Sequence, residues 1–584
     1  MAPIRLTLSA LGAPLAGSLR GLRARARTRR AWAGGRAARP PDAAALPDPF
    51  LYGDSDRGRA LVAGTWHALE RDIGLDARGI WTAPLPDPRL EAERHAFTWL
   101  DDLAALGNRA ARERAQAWTL DWIRRYGRGR GPGWRLGTAG RRMLHWTAHA
   151  RLLVDGLAEE DAARIWRAVA AHGRALATAW AEAEPGLARV EALSGAVFAL
   201  ALVGDERLEA ATVDLAHLSE AVIDGTGATP SRAPGELAEI VILLVWTARI
   251  LESLGRHAKP GHLHAIARAV PVIRALRLGG GEMARFHGGG PVEPGRLDQA
   301  LAELRLNARA KPRLAMGYAR LAGGRMVAIM DGAAPPMGPG APRGAASTLA
   351  FELSAGRAPL VVNAGPGHHF APAAALAARA TAAYSTVEID GLPSARLCRP
   401  GVAARAYGHW LERGPSLVSV RQAQDHTGQW LLATHDGYVD SLGLLHERRL
   451  FVDARGAECR GEDIVYVTDG RARDRFEHAT RRRRQPVLIA ARFHLHPDAG
   501  AAIDPVRQIV EIRPGGEEVW IFRAAGGRVE LRDSLYFDPA RAAPVTNLQI
   551  LVIAEVIEYL GQINWSFTRV AQPLQSIASA PAPP

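Results

Sequence analysis

Between Arg124 and Arg142 the chain carries seven arginines, no acid and one tryptophan, Trp134. A guanidinium fork grips a carboxylate or sulfate at two points, and an indole face stacks on a sugar ring. Trp134, Arg141, Arg142, His145 and Trp146 thus read as the lining of a groove for an anionic saccharide. The same residues also read as a solvated basic loop followed by a helix that buries Trp146. Arg232 precedes a helix start at Pro234, where a loop arginine either faces a groove or caps a surface. Proton-transfer candidates follow in the second half. His368 and His369 share a Gly/Pro loop, Tyr384 adjoins a strand, and His435 lies in another strand-like run. His369, Tyr384 and His435 carry the groups that a catalytic base or acid needs, given hydrogen-bond reach to the reacting atom. Packing for Tyr384 and a buried, backbone-bonded state for His435 are the structural alternatives. His494 and His496 alternate on a strand and share a face, a geometry that suits a metal only with a third ligand nearby. No metal site and no cofactor is assigned on these residues, although a divalent ion in the second half stays open. Four arginines at positions 481–484 read as a solvated hairpin tip.

These side chains are carried by two unlike halves. From Glu91 to Leu278, apolar residues recur at i, i+3, i+4 and i+7, broken at Gly/Pro/Asp groups such as Gly204-Asp205. Serial helices with short links pack as antiparallel hairpins. After a Gly-rich hinge at 279–295 and a short helix at Leu297–Asn307, the period changes to two. Strand-like runs then recur from Tyr318 to Arg569, which argues for stacked antiparallel sheets. The expected division is a basic arm or linker at 1–47, an all-α domain at 48–295, an antiparallel β-sandwich at 296–575 and a disordered tail at 576–584. A chain of 584 residues exceeds one core, so two large domains are natural. Leu6–Leu19 reads either as a poor signal peptide or as part of the basic arm.

Composition narrows the function classes. Apolar content of 48% and charged content of 23% describe an ordinary globular chain, and no run of 18 uncharged apolar residues offers a membrane span. Two cysteines build neither a disulfide framework nor a Cys-rich metal site. The net charge is +13; of 73 basic residues only Lys259 and Lys311 are lysine, leaving 73 − 2 = 71 arginines. Arginine excess follows either from GC-rich coding or from a polyanionic ligand. Nucleic acid is not an expected partner, because no nucleic-acid motif accompanies the charge.

Several strings resemble the heparinase II/III-like proteins. Phe351-Glu352-Leu353, Val362-Asn363-Ala364-Gly365 and Tyr384-Ser385-Thr386-Val387 stand where that family has "LSFEL", "vD.G" and "A.STv". His435-Asp436-Gly437-Tyr438, the run Leu444 to Leu450, Arg460-Gly461-Glu462-Asp463 and Arg492 to Pro497 are similar as well. In the first half, Asp224-Gly225 with Ser231-Arg232-Ala233-Pro234, and Trp134 with Arg141 to Trp146, match further family strings. The resemblance implies an N-terminal (α/α) toroid followed by a C-terminal antiparallel β-sandwich. It also implies a polysaccharide lyase acting by β-elimination on a uronate-containing acidic polysaccharide, and a cell-envelope or periplasmic setting. In that chemistry a cation or amide neutralises the carboxylate, so that a Tyr or His can remove the neighbouring C5 proton.

The chain departs from the family pattern where the chemistry lies. PGLARV at 185–190 replaces the "GNH" string, Gly235-Glu236 replaces the tyrosine after Pro234, Arg343 to Ser347 replaces the histidine ahead of the strand, and Asn363 replaces the acid. Two readings follow: a lyase, or a catalytically inactive glycan-binding protein on the same scaffold. Either places Arg141, Arg142, Arg232 and His369 in one groove between the halves.

Overall fold

The computed structural model describes residues 50–570, apart from 77–78, 130, 291, 294, 305–313, 403, 405–407 and 516–517, and also positions 26, 30, 31, 46 and 47. The arm expected at 1–47 lies outside the described residues except at those five positions, and the tail expected at 576–584 lies wholly outside them.

Among the described residues, twelve helices form the first half: α1 (Ser55–Ala63), α2 (Arg89–Ala96), α3 (Trp99–Leu106), α4 (Arg109–Tyr126), α5 (Leu136–Ala148), α6 (Ala150–Val154), α7 (Glu159–Ala179), α8 (Leu187–Leu202), α9 (Leu208–Val222), α10 (Pro234–Ser253), α11 (Pro260–Ala275) and α12 (Arg296–Glu303). A small hairpin, β1 (Thr65–Ala68) with β2 (Arg71–Gly74), interrupts them; its two strands had no strand signal in the sequence. The helical pattern that begins at Glu91 breaks at Phe97, whose φ of 69° ends α2 and turns its ring into the core. α5 and α7 pack on α8, α8 packs on α10, and α10 carries α11 and α12. α8 and α10 are the innermost helices, and most of their residues are buried. A helix apolar on nearly every side must be enclosed by others, and this produces a closed array.

The strands of the second half are β3 (Tyr318–Gly323), β4 (Met326–Asp331), β5 (Phe351–Ala355), β6 (Ala358–Val362), β7 (Val387–Ile389), β8 (Arg396–Leu397), β9 (Leu411–Arg413), β10 (Val418–Gln424), β11 (Gly428–Tyr438), β12 (Leu444–Asp453), β13 (Glu458–Val467), β14 (Leu488–Leu495), β15 (Gly500–Asp504), β16 (Ile509–Arg513), β17 (Val519–Ala525), β18 (Arg528–Tyr536), β19 (Val545–Glu555) and β20 (Leu560–Val570). One sheet runs β10-β11-β12-β13-β20-β17-β16-β15. The other runs β18-β19-β14-β6-β5-β4-β3, with β7 also paired to β14; both sheets are antiparallel. Their facing surfaces meet in one apolar core, where Phe351 of one sheet stacks on Trp565 of the other at 5.4 Å between centroids. Helix does return late in the chain. An 11-residue helix, Gly470–Thr480, is started by Asp469, which accepts from Ala472 N at 2.9 Å. The two cysteines are separate, buried free thiols.

Buried polar groups fasten the halves together. Arg232, at φ 51°, pairs with Asp331 and donates to the carbonyls of Met316 (3.1 Å) and Ala334 (2.8 Å). Asp331 also accepts from Ser347 Oγ at 2.7 Å and faces His287 Nε2 at 3.4 Å. Glu352 accepts from Arg285 N at 3.0 Å and from Asn363 N at 2.9 Å. The hinge is thereby pinned to β4 and β5.

Candidate functional site

Three glycines set the helical wall of the cleft between the halves. A Cβ on Gly140 would stand 2.0 Å from the Glu191 carbonyl oxygen, and one on Gly195 would stand 2.4 Å from Gly140 Cα. A Cβ on Gly137 would meet the Glu191 carboxylate at 2.3 Å. Only glycine allows α5 and α8 to cross this closely. The crossing lays Glu191 of α8 along Arg141 of α5, with Nε to Oε1 at 3.3 Å, while Glu93 beyond α2's first turn takes Nη1 at 3.2 Å. Arg141 remains about one-third exposed, at 32%. Burial works against its charge, but Glu191 and Glu93 more than offset that and hold the guanidinium cationic. Burial pushes the Glu191 carboxyl up, and Arg141 opposes the shift.

The sandwich wall is the loop that follows β6. Gly365, at φ 89°, turns the chain, and a 3₁₀ turn at Gly367–His369 presents two imidazoles whose rings are 4.0 Å apart. Both are half-buried. Burial first, and then the Arg343, Arg89 and Arg141 guanidiniums, lower His369 to about 4 against the opposing pull of Glu93. His369 is therefore a neutral base at neutral pH, set among cations from both walls. Arg343 is exposed, and among the described residues no carboxylate lies within ion-pair reach of it. At one end of the cleft Arg89 bonds Asp87 and the carbonyl of Ala542 (3.1 Å) and lies 4.7 Å over the Phe370 ring, tying α2 to the sandwich. Behind His368 a cavity of about 260 Å³ is bounded by Arg343, Arg379 and His409.

Arg141 and His369 thus lie within electrostatic reach of each other from the two halves, but their expected companions do not join them. Arg142, one residue from Arg141, points inward and is fully buried. It donates to the carbonyls of His95 and Gly133 (both 2.9 Å) and to His172 Nε2 (2.9 Å), and lies 4.0 Å over the Trp122 ring. Among the described residues no carboxylate pairs with it, and burial drives its pKa well down. Trp134 stacks on His172 at 4.4 Å and donates its Nε1–H to Tyr126 O, so its face serves the core and not a sugar. His145 bonds Asp101 at 2.8 Å, as does His149, and the pair keeps Asp101 ionised despite its burial. Trp146 is core. Arg232 is the fastener described above and is spent on Asp331 and main-chain carbonyls.

Two of the three proton-transfer candidates are likewise sealed. Tyr384 is 2% exposed, with its ring 6.5 Å from that of Phe286, and burial pushes its phenol up. His435 is 1% exposed: Nδ1 accepts from Gly437 N (3.0 Å), and Nε2 bonds His446, which bonds Asp463 (3.0 Å). Asp463 is clasped by Arg448 at 2.7 and 3.0 Å, and Arg448 also donates to the carbonyls of Leu349 and Ser385 across the sandwich. These motif residues staple two sheets.

The described residues of the second half that the metal reading singled out are already spent on other partners. Asn363, standing where the family has an acid, spends Oδ1 on Ser385 N (3.0 Å) and Nδ2 on Arg285 O (3.3 Å). His494 spends Nδ1 on Ser534 and Nε2 on Ala382 O. Among the described residues no three His, Cys, Asp or Glu side chains converge.

Glu93, Glu191, Arg343 and Arg89 escaped the reading of the sequence. Two signals were present: Glu191 adjoins PGLARV, and Arg343 opens the string that replaces the family histidine.

A family model described as "Heparinase II/III-like, C-terminal" matches residues 305–566. FtsZ-localized protein C of Caulobacter vibrioides is 32% identical over 545 residues, covering 91% of each chain. Among solved structures, a heparinase III superposes with a TM-score of 0.66 at 10% identity, over 90% of this chain and 88% of that one. A heparan sulfate lyase HepC mutant from Pedobacter heparinus gives 0.55 at 13%, over 97% and 91%. At these identities the solved structures establish the fold, an N-terminal (α/α) toroid followed by an antiparallel β-sandwich. With the motif strings, the matched domain and the fold in agreement, the chain belongs to the heparinase II/III-like family.

Proposed function

We propose that this chain binds a linear uronate-containing glycan in the cleft between toroid and sandwich, as a binding protein on a lyase scaffold. The observation that carries the reading is the split among the candidate residues. Arg343 is exposed and makes no ion pair among the described residues, and Arg141 on the opposite wall is about one-third exposed beside Glu93 and Glu191, while Tyr384 and His435 are sealed in the core. Glu93 and Glu191 supply acceptors for sugar hydroxyls beside the cation. We further propose that it localises with FtsZ, as the name of its Caulobacter relative says of that protein.

A second reading, β-elimination, is favoured by one observation: His369 is neutral and flanked by cations, the setting in which a lone imidazole could take a C5 proton. Calorimetric titration of uronate glycans into the full chain, with ultraviolet absorbance followed in parallel, separates the two. Binding without a rise in absorbance supports the binding protein. A rise marks the conjugated C4–C5 double bond and establishes the lyase. Absence of any binding overturns both.

A further inference from the structure

A second concavity lies apart from the cleft. It is an open trough of about 900 Å³ on the outer face of the sheet that contains β10 to β13, β20 and β17. It shares no lining residue with the cavity behind His368, and the cleft's own sandwich wall belongs to the other sheet. Register explains the trough's chemistry. Trp430 of β11 pairs with Phe451 of β12, Phe451 with Arg460 of β13, Arg460 with Ser566 of β20, and Ser566 with Arg523 of β17. In the neighbouring row Arg421 of β10 pairs with Leu432, Leu432 with Arg449, and Arg449 with Glu462. Cross-strand partners point to one side, so these two rows form a continuous outward stripe.

The stripe has a defined character. The Arg460 guanidinium lies 4.5 Å over the Phe451 ring and 5.5 Å over Trp430, while Trp430 is still 38% exposed. Arg449 is spent on Glu447 and Glu462. Arg421 and Arg523, at the two ends of the stripe, are exposed and make no ion pair among the described residues. Six strands at about 4.8 Å spacing separate those ends by roughly 24 Å. An aromatic platform with unpaired guanidiniums at either end is complementary to an extended anion that has flat faces.

We propose that this trough is a second glycan site, which holds an anionic oligosaccharide across the strands with a ring stacked on Trp430 and carboxylates or sulfates at Arg421 and Arg523. A peptide fits less well. The trough runs across strands whose amides and carbonyls are already bonded to neighbouring strands, so an extended peptide finds no backbone partner there. The site does not rest on the cleft.

The test is calorimetry on the full chain with heparin and galacturonate hexasaccharides, with maltohexaose and hexaglutamate as controls. Arg141→Ala/Arg343→Ala isolates the trough. This variant is expected to keep one binding event that weakens by about tenfold or more when Trp430→Ala is added. Arg421→Ala/Arg523→Ala, which removes no core side chain, should weaken the same event and flatten its salt dependence. Maltohexaose should not bind there. The proposal is overturned if the isolated event is absent, if both trough variants leave it unchanged, or if hexaglutamate binds it as tightly as the saccharides. A failure confined to the event removed by Arg141→Ala/Arg343→Ala counts against the cleft alone.

Discussion

Arg141 and Arg142 are neighbours with opposite fates, and they make separable predictions. Arg141→Ala removes a partly exposed cation, so glycan affinity should fall roughly tenfold, the worth of one charge-assisted bond, and the denaturation midpoint should also drop because the largely buried Glu191 is left without its partner. Arg142→Ala opens a cavity among aromatic rings and leaves the His95 and Gly133 carbonyls unpaired, so stability should drop by roughly 3 kcal/mol in denaturant melts, while the folded fraction binds normally. His369 adds a pH signature. Its pKa near 4 leaves it neutral at pH 7. As pH falls from 7 toward 4 it gains charge, so binding of an anion should tighten in wild type and stay flat in His369→Gln. Elimination would show the reverse, because a protonated imidazole cannot accept the C5 proton. The sequence placed Arg141 and Arg142 together in a motif and could not separate them. Adjacent residues on a helix differ by about 100°, and what lies on either side is decided by helices far away in the chain.

At the scale of elements, the α5–α8 crossing builds the helical wall. Gly195→Val would drive its side chain into Gly140, so the protein should lose roughly 3 kcal/mol or more. Its surviving folded molecules should bind glycan weakly, because Glu191 no longer lies along Arg141; thermal melts and titration together check this. Glu352 makes a different prediction. Burial raises its carboxyl to about 7 from an ordinary 4.5. The folded protein then holds a proton that the unfolded chain has released between pH 4.5 and 7, so stability falls as pH rises through that window. Glu352→Gln should flatten this slope, whose full height is on the order of 3 kcal/mol; urea midpoints from pH 4.5 to 8 measure it. Most elements were legible because their periodicity is strong, as in α7 and β14. The break at Phe97 was not, since a left-handed residue within an apolar helical run leaves no trace in periodicity. Helix Gly470–Thr480 was also missed: its exposed, charged residues give no apolar stripe, and only Asp469 marks its start.

At the scale of the molecule, toroid and sandwich are joined through buried polar groups. Asp331 lies within β4 and binds Arg232 from the toroid and His287 from the hinge. Asp331→Asn leaves a buried guanidinium without its counter-charge, and should cost roughly 3–5 kcal/mol and raise hydrogen exchange at 285–287 and 316–318 ahead of either core. Arg232 and the strings around His435 and Tyr384 were recognisable as family sequence, yet in the structure their side chains hold the scaffold together. Resemblance revealed the scaffold but did not tell which motif side chains pack and which face the cleft, because a motif survives equally well as packing. The measurement closest to the central claim is a titration of uronate hexasaccharide into wild type and Arg141→Ala/Arg343→Ala, with absorbance of the conjugated double bond recorded throughout. The account predicts two binding events in wild type, loss or at least tenfold weakening of one of them in the variant, and no absorbance change in either protein. Unchanged cleft binding in the variant, or an absorbance rise that His369→Gln abolishes, would contradict it.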